Sequence, residues 1–232
     1  MQNNTNNNVK IIVSRYNENL EWINDYPFNQ FKYIVYNKGI DTSFCKNNVL
    51  EIINLENVGR NDHTYLYHIV NNYDNLSNII IFFPGSINMS CKKEKAKILL
   101  EAIIKSDYKN AFFLGSHQDD IFETFKNFEL DEWQASDISN SSLNPERKLQ
   151  LCKLRPFGRW YKYFFGNIKA KWNTYLGIFS IDKRDVLQHK KIKYELLMNT
   201  LINSSNPEAG HYIERSWGAI FYPMIYTKKI SY

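Results

Sequence analysis

The chain has 232 residues, with 29 Lys and Arg against 24 Asp and Glu, a net charge of +5. The excess is dispersed, with short clusters only at Lys92–Lys97 and Lys190–Lys193. That argues against a nucleic-acid footprint and suits a small anionic substrate such as a nucleotide diphosphate.

The first residues, MQNNTNNN, form a polar Asn-rich tail (1–8) with no charged or apolar region of a signal peptide, and disorder is expected there. Lys10–Ser14 is a short apolar, β-branched run and reads as a buried strand. It ends in Arg15, Tyr16, Asn17 and Glu18, at the carboxyl edge where open α/β sheets place ligands. Phe31–Tyr36 is a second strand, closed by Asn37, Lys38 and Gly39, and Val49–Leu55 a third. Asn57–Leu76 then opens with Val58, Gly59 and Arg60 and continues with Tyr65, Leu66, Ile69, Val70 and Tyr73 at helical spacing. Asn61 or Asp62 is the expected N-cap. With Gly59, Arg60 and His63 beside a helix N-terminus, this stretch reads as an anion cradle or as a capped amphipathic helix.

Ile79–Phe83 is the strongest strand, stopped by Pro84, Gly85 and Ser86. Lys92–Lys105 is an amphipathic helix, and Ala111–Leu114 a strand expected in the same sheet, with His117 opening on the same edge as Arg15, Lys38 and Ser86. Phe122–Arg155 reads as a long polar connection, including Asp137 and the run SNSSLNPE. Arg155–Phe165 is dense in aromatics, and Trp172–Ile181 reads as one strand interrupted by Gly177. Asp182–Ile202 is helical; Glu208 falls in a loop before a last helix, His211–Phe221, with Glu214 in its first turn. No repeat or linker appears. The expectation is one α/β domain over 9–232, with a mostly parallel sheet covered by helices on both faces.

Cys45, Cys91 and Cys152 are odd in number and far apart, which suggests a reducing, cytoplasmic compartment. No run of about 18 apolar residues spans a bilayer. Neither GxGxxG nor GxxxxGK[ST] occurs, nor HExxH or GxSxG, which weakens dinucleotide, P-loop, metalloprotease and serine-hydrolase readings. Asp119 and Asp120, past a strand end, are candidate ligands for Mn²⁺ or Mg²⁺ or, equally, a helix cap. Glu208 and Glu214 flank His211 and are the candidate general bases, since His211 or Arg215 can set a neighbouring carboxylate's pKa.

The series RYNE, VYNKG, NVGRNDHTYLYHIVNNYDNL, FFPGS, RPFGRWY, YLGIFSI and NPEAGHYIERSWGAIF resembles domain-of-unknown-function family 3431 from about Ile11 to Pro223. Its layout is more distantly similar to the GT-A nucleotide-sugar glycosyltransferases, a Rossmann-like fold. That resemblance implies sugar transfer from a nucleotide-sugar donor to a glycan, protein or small acceptor. It also implies donor contacts at Arg15, Asn17, Glu18, Lys38, Gly59, Arg60, His63, Gly85 and Ser86. Trp160, Tyr161, Trp172, Tyr175 and Gly177 would form the acceptor side, and Glu214, Glu208 and His211 the catalytic group. Phe83-Pro84-Gly85-Ser86 stands where such enzymes carry Asp-x-Asp, so a metal, if used, falls to Asp119 and Asp120. Two alternatives stay open: a non-catalytic nucleotide- or carbohydrate-binding module, and a phosphoester hydrolase built on Asp119 and Asp120.

Overall fold

Three apolar runs build the centre of a sheet. Strands β1 (Val9–Arg15), β2 (Tyr33–Asn37) and β4 (Ile79–Pro84) are buried along nearly their whole length, as strands covered on both faces must be. The computed structural model describes residues 8–132 and 148–232. Residues 1–7 of the Asn-rich tail lie outside the described residues, as do Asp137 and the SNSSLNPE run of the polar connection.

The main sheet has the order β3-β2-β1-β4-β7. β3 (Val49–Asn54) is the half-exposed edge. The first four strands run parallel, with Ile11 opposite both Tyr33 and Ile81, and Val13 opposite both Val35 and Phe83. β7 (Phe179–Asp182) closes the row antiparallel to β4. Thus the fold is mixed α/β, with a mostly parallel sheet as expected.

Strand β5 (Phe112–His117) departs from expectation. It belongs to a second sheet, between β6 (Trp172–Asn173) and β8 (Lys228–Ser231). Ser180 joins the two sheets: its hydroxyl accepts from the Phe112 amide at 2.7 Å and donates to the Phe112 carbonyl at 3.0 Å. A side chain here takes the place of a backbone ladder. The run Trp172–Ile181 is likewise two strands in two sheets, because Gly177 turns the chain at φ +66°.

Successive residues of the central strands serve opposite faces. Ile12, Ile80 and Phe82 meet an aromatic-rich core under α1 (Arg60–Asn71). Ile11, Val13, Ile81 and Phe83 meet a second core under α2 (Ser90–Lys105), with Trp22 and Phe28. On the first face Tyr65, Phe82, Phe179 and Trp217 form a contiguous ring cluster, the Phe82 and Trp217 planes within 18° of parallel. Full burial of one Phe contributes roughly 1.5–3 kcal/mol.

The shorter helices are α3 (Ile121–Phe125), α4 (Phe157–Phe165), α5 (Lys183–Leu187) and α6 (Lys191–Asn199). The last is α7 (Glu208–Ile220). Two expected boundaries move. α1 starts after Gly59, which takes a left-handed conformation, rather than at an Asn61 or Asp62 cap. α7 starts three residues before His211, so Glu208 lies in its first turn and Glu214 in its middle.

Candidate functional site

The start of α1 is held open in an unusual geometry. Gly59 and Arg60 both have positive φ, 62° and 55°. Lys38, at the carboxyl end of β2, fixes them: its ammonium donates to the carbonyls of Val58 at 2.5 Å and Arg60 at 2.6 Å. A Cβ at Gly59 would sit 2.6 Å from the Cβ atoms of both His63 and Leu201. Only glycine allows α1 to begin here. The helix therefore presents Arg60, Asn61 and its first free amides at this point.

α7 delivers the other half. Its Trp217 indole donates to Oδ1 of Asp62 at 3.0 Å, and Nε2 of His211 lies 3.1 Å from a guanidinium nitrogen of Arg60. An arginine has no acceptor, so His211 Nε2 must accept. Burial, with Arg60 and Arg215 beside it, pushes the His211 pKa down to about 2. His211 is thus a neutral brace for Arg60 rather than a proton carrier near pH 7.

Glu214, one turn further, is the electrostatic centre. Its charge raises the pKa values of Arg60, Lys95 and Arg215, which burial lowers, and it repels Asp62. Oε1 accepts from the Leu176 amide at 3.0 Å, which fixes the carboxylate and leaves it half-exposed. Asp62 is 5% exposed; burial first, and Glu214 second, push its pKa up to about 7. Lys38 is driven down to about 7 and Lys95 to about 8, both chiefly by burial. Lys95 donates to Thr174 Oγ1 and to the Tyr175 carbonyl, while the Arg215 guanidinium lies 3.7 Å over the Phe128 ring. Four cations face two carboxylates. Among the described residues, His63 Nδ1 and Arg215 Nε are buried without a hydrogen-bond partner.

The acceptor-side residues separate. Tyr175 lies at this site, its ring 5.5 Å from the Arg215 guanidinium, and Gly177 packs against it with its carbonyl held by Tyr65. A Cβ at Gly177 would come within 3.0 Å of the Tyr65 hydroxyl and 3.3 Å of the Asn61 amide. Trp172 is half-buried, edge-on to His117. Trp160 and Tyr161 have no exposed surface: α4 turns them into the aromatic core, where no sugar can stack on them.

The residues expected at the β1 and β4 ends are occupied with one another. Arg15 is fully buried and donates to the Glu18 carbonyl, Asn37 Oδ1, and both the carbonyl and the carboxylate of Asp41. Glu18 accepts from the Tyr16 amide and lies close enough to Gly85 that a Cβ there would be 2.6 Å from its oxygen. Asn17 is exposed, with Oδ1 toward the Asp41 amide. Ser86 is buried and meets Lys92 at 2.6 Å. The crevice between β1 and β4, where strand order reverses, is filled by this network, and the accessible charge lies instead between α1 and α7.

Glu208 is not on a rim. It is fully buried and accepts from the amides of Leu130 and Cys152 and from the Tyr212 hydroxyl, with Arg155 at 3.4 Å. Those donors saturate a carboxylate that ties three chain segments together. Asp120 caps α3, accepting from the Phe122 amide at 2.9 Å, and Asp119 is exposed. Among the described residues no group of three or more His, Cys, Asp or Glu could hold a metal ion.

Lys95 had no part in the sequence-derived site, and Asn61, Asp62 and Arg215 entered it only as a helix cap and as a neighbour that sets a carboxylate's pKa. Lys95 carried a signal: with Leu99 and Ile103 it falls on the buried side of α2 at i, i+4, i+8. Among the described residues no helix is long and apolar enough to cross a membrane. No curated protein matches the chain. Residues 11–105, from within β1 to the end of α2, match the model of the family described as Protein of unknown function (DUF3431).

Proposed function

We propose that the protein transfers a sugar from a nucleotide-sugar donor to a hydroxyl acceptor at the charged cluster between α1 and α7. One observation carries this reading: Arg60, Lys95 and Arg215 gather around the half-exposed carboxylate of Glu214, next to the N-terminus of α1. A buried excess of cations favours a polyanion, and the helix terminus adds its own positive end. His63 Nδ1 and Arg215 Nε, both without partners among the described residues, offer hydrogen-bonding capacity for it.

In this reading the diphosphate lies against Arg60, Arg215 and the first amides of α1. Glu214 takes the proton of the acceptor hydroxyl as its oxygen attacks the anomeric carbon. The bond from that carbon to the diphosphate breaks, and its electron pair leaves with the diphosphate, where the arginines offset the developing charge. Tyr175 stands on the acceptor side, Trp160 and Tyr161 having no surface to offer.

The test is a thermal-shift panel of nucleotides and nucleotide sugars, with and without Mn²⁺ or Mg²⁺, followed by assays of donor hydrolysis and transfer. A ligand at a hundred times its Kd adds about 2.7 kcal/mol of stability. Donor binding with turnover supports transfer. Binding without hydrolysis or transfer across a broad acceptor panel makes the protein a binding module. No shift with any nucleotide sinks the reading.

A further inference from the structure

Apart from the charged cluster between α1 and α7, α5, α6 and the turn after α7 lie together. Asp185 of α5 accepts from the backbone amides of Ile225, Tyr226 and Thr227. Gln188 donates to the carbonyls of Phe221 and Pro223, and Lys193 of α6 to that of Ile220. The three segments are therefore fastened side by side.

Their outward side is both apolar and basic. α6 buries Tyr194 and Leu197, which leaves Ile192 and Leu196, one turn apart, each 53% exposed on the other side. Leu187 and Ile225 are also exposed, at 42% and 68%. Of the seven Lys and Arg across 183–202 and 222–229, Arg184 is paired with Asp182, and Lys193 and Lys229 are held by the carbonyls of Ile220 and Met224, which leaves Lys183, Lys190, Lys191 and Lys228 against Asp185 and Glu195. Asp185 is fully buried and turned inward to the three amides; Glu195, half-buried and one turn from Lys191, offsets one charge, and Lys190 and Lys191, both exposed, leave the face net positive.

We propose that this surface docks on an anionic lipid membrane, with Ile192, Leu196, Leu187 and Ile225 entering the headgroup boundary and Lys190 and Lys191 meeting lipid phosphates. Charge complementarity selects this occupant. Two copies of the chain meeting here would bring lysines against lysines, whereas an anionic bilayer answers both the charge and the aliphatic side chains. The aliphatic tips of α6 suit acyl chains, and the exposed Tyr222 and Tyr226 beside Ile225 suit the headgroup boundary, where an amphipathic ring has one apolar and one wet end. The contact is peripheral, and it does not depend on what the charged cluster between α1 and α7 binds.

Co-sedimentation of the full chain with phosphatidylserine-rich vesicles and with pure phosphatidylcholine vesicles tests it. The expected result is binding to the first that falls with added salt, and little to the second. Each lysine near the surface contributes about 1 kcal/mol, so the double variant Lys190→Ala and Lys191→Ala should bind roughly thirtyfold more weakly. Ile192→Ser with Leu196→Ser should weaken binding while leaving the melting temperature nearly unchanged, because both side chains are outside the core. Absence of binding to phosphatidylserine vesicles overturns the proposal, as does equal binding by the lysine variant. Single-stranded RNA binding lost in the same variant, without vesicle binding, assigns the face to nucleic acid and also overturns it.

Discussion

The indole Nε1 of Trp217 and the carboxylate of Asp62 meet at 3.0 Å in the interior, joining the middle of α7 to the first turn of α1. The bond holds together the two helices that carry Arg60, Asp62, His211 and Glu214. It also satisfies an acid that would otherwise be stranded: an unpaired buried acceptor costs about 1–3 kcal/mol. Trp217→Phe should lose about that much in urea denaturation, plus a smaller packing loss. A variant as stable as wild type would show that Asp62 finds another donor.

Acid should destabilise the protein. His63, His68, His189 and His211 are held neutral by burial, with folded pKa values near 4, 3, 4 and 2 against 6.5 unfolded. The unfolded chain binds the extra protons, so stability falls as pH drops below about 6.5. Asp62 works the other way. Its pKa is raised from 3.8 to about 7, so its protonated form stabilises the fold below pH 4, and that contribution is lost as pH rises toward 7. Asp62→Asn keeps an acceptor for the indole and removes this titration. Relative to wild type it should gain a few kcal/mol between pH 4 and pH 7 and no more above. Parallel stability curves for the two proteins would rule out the raised acid.

Glu214→Gln separates chemistry from binding. The amide oxygen can keep the bond from the Leu176 amide, yet it cannot accept a proton from a substrate. Turnover should fall by roughly 10²–10⁴ while donor affinity, read by calorimetry, moves only a few-fold. Turnover within threefold of wild type would remove Glu214 from the base role.

Glu208→Gln should damage the fold instead. One of its two oxygens becomes an NH₂ group facing an amide or hydroxyl donor, and Arg155 loses its buried partner. A cost of about 3 kcal/mol or more is expected from denaturant titration. A stable but inactive Glu208→Gln protein would return this residue to the catalytic list.

Gly59→Ala tests the start of α1. The left-handed conformation costs an L-residue about 1–2 kcal/mol, and the added methyl meets two Cβ atoms at 2.6 Å. The loss should exceed 2 kcal/mol, with nucleotide binding weakened beyond what stability explains because Arg60 moves with the backbone. A melting temperature close to wild type would mean that the turn relaxes freely.

The sheet was legible in the sequence because buried parallel strands are plain apolar runs: KIIVS, FKYIVY and IIIFF sit in β1, β2 and β4. The placement of β5 was not, since a strand's own residues do not say whether a neighbour offers a ladder or, like Ser180, a single hydroxyl. Trp160 and Tyr161 misled because an aromatic helix face looks alike whether a core or a ligand covers it. Glu208 and Glu214 looked equivalent; only the amides of Leu130 and Cys152, supplied by distant segments, make one of them a brace. Asp62 and Trp217 lie 155 residues apart, and no local pattern announces such a pair.

The alternation of β1 and β4 between two cores bears on how the protein comes apart. Ile12 and Phe82 floor the layer under α1 while Ile11, Val13, Ile81 and Phe83 floor the layer under α2, so neither layer owns its half of the sheet. Melting either layer exposes strands that the other needs, which couples them into one cooperative folding unit. Hydrogen exchange should therefore find the amides of β1 and β4 opening only with the whole unit, with equal protection at residues that face opposite layers.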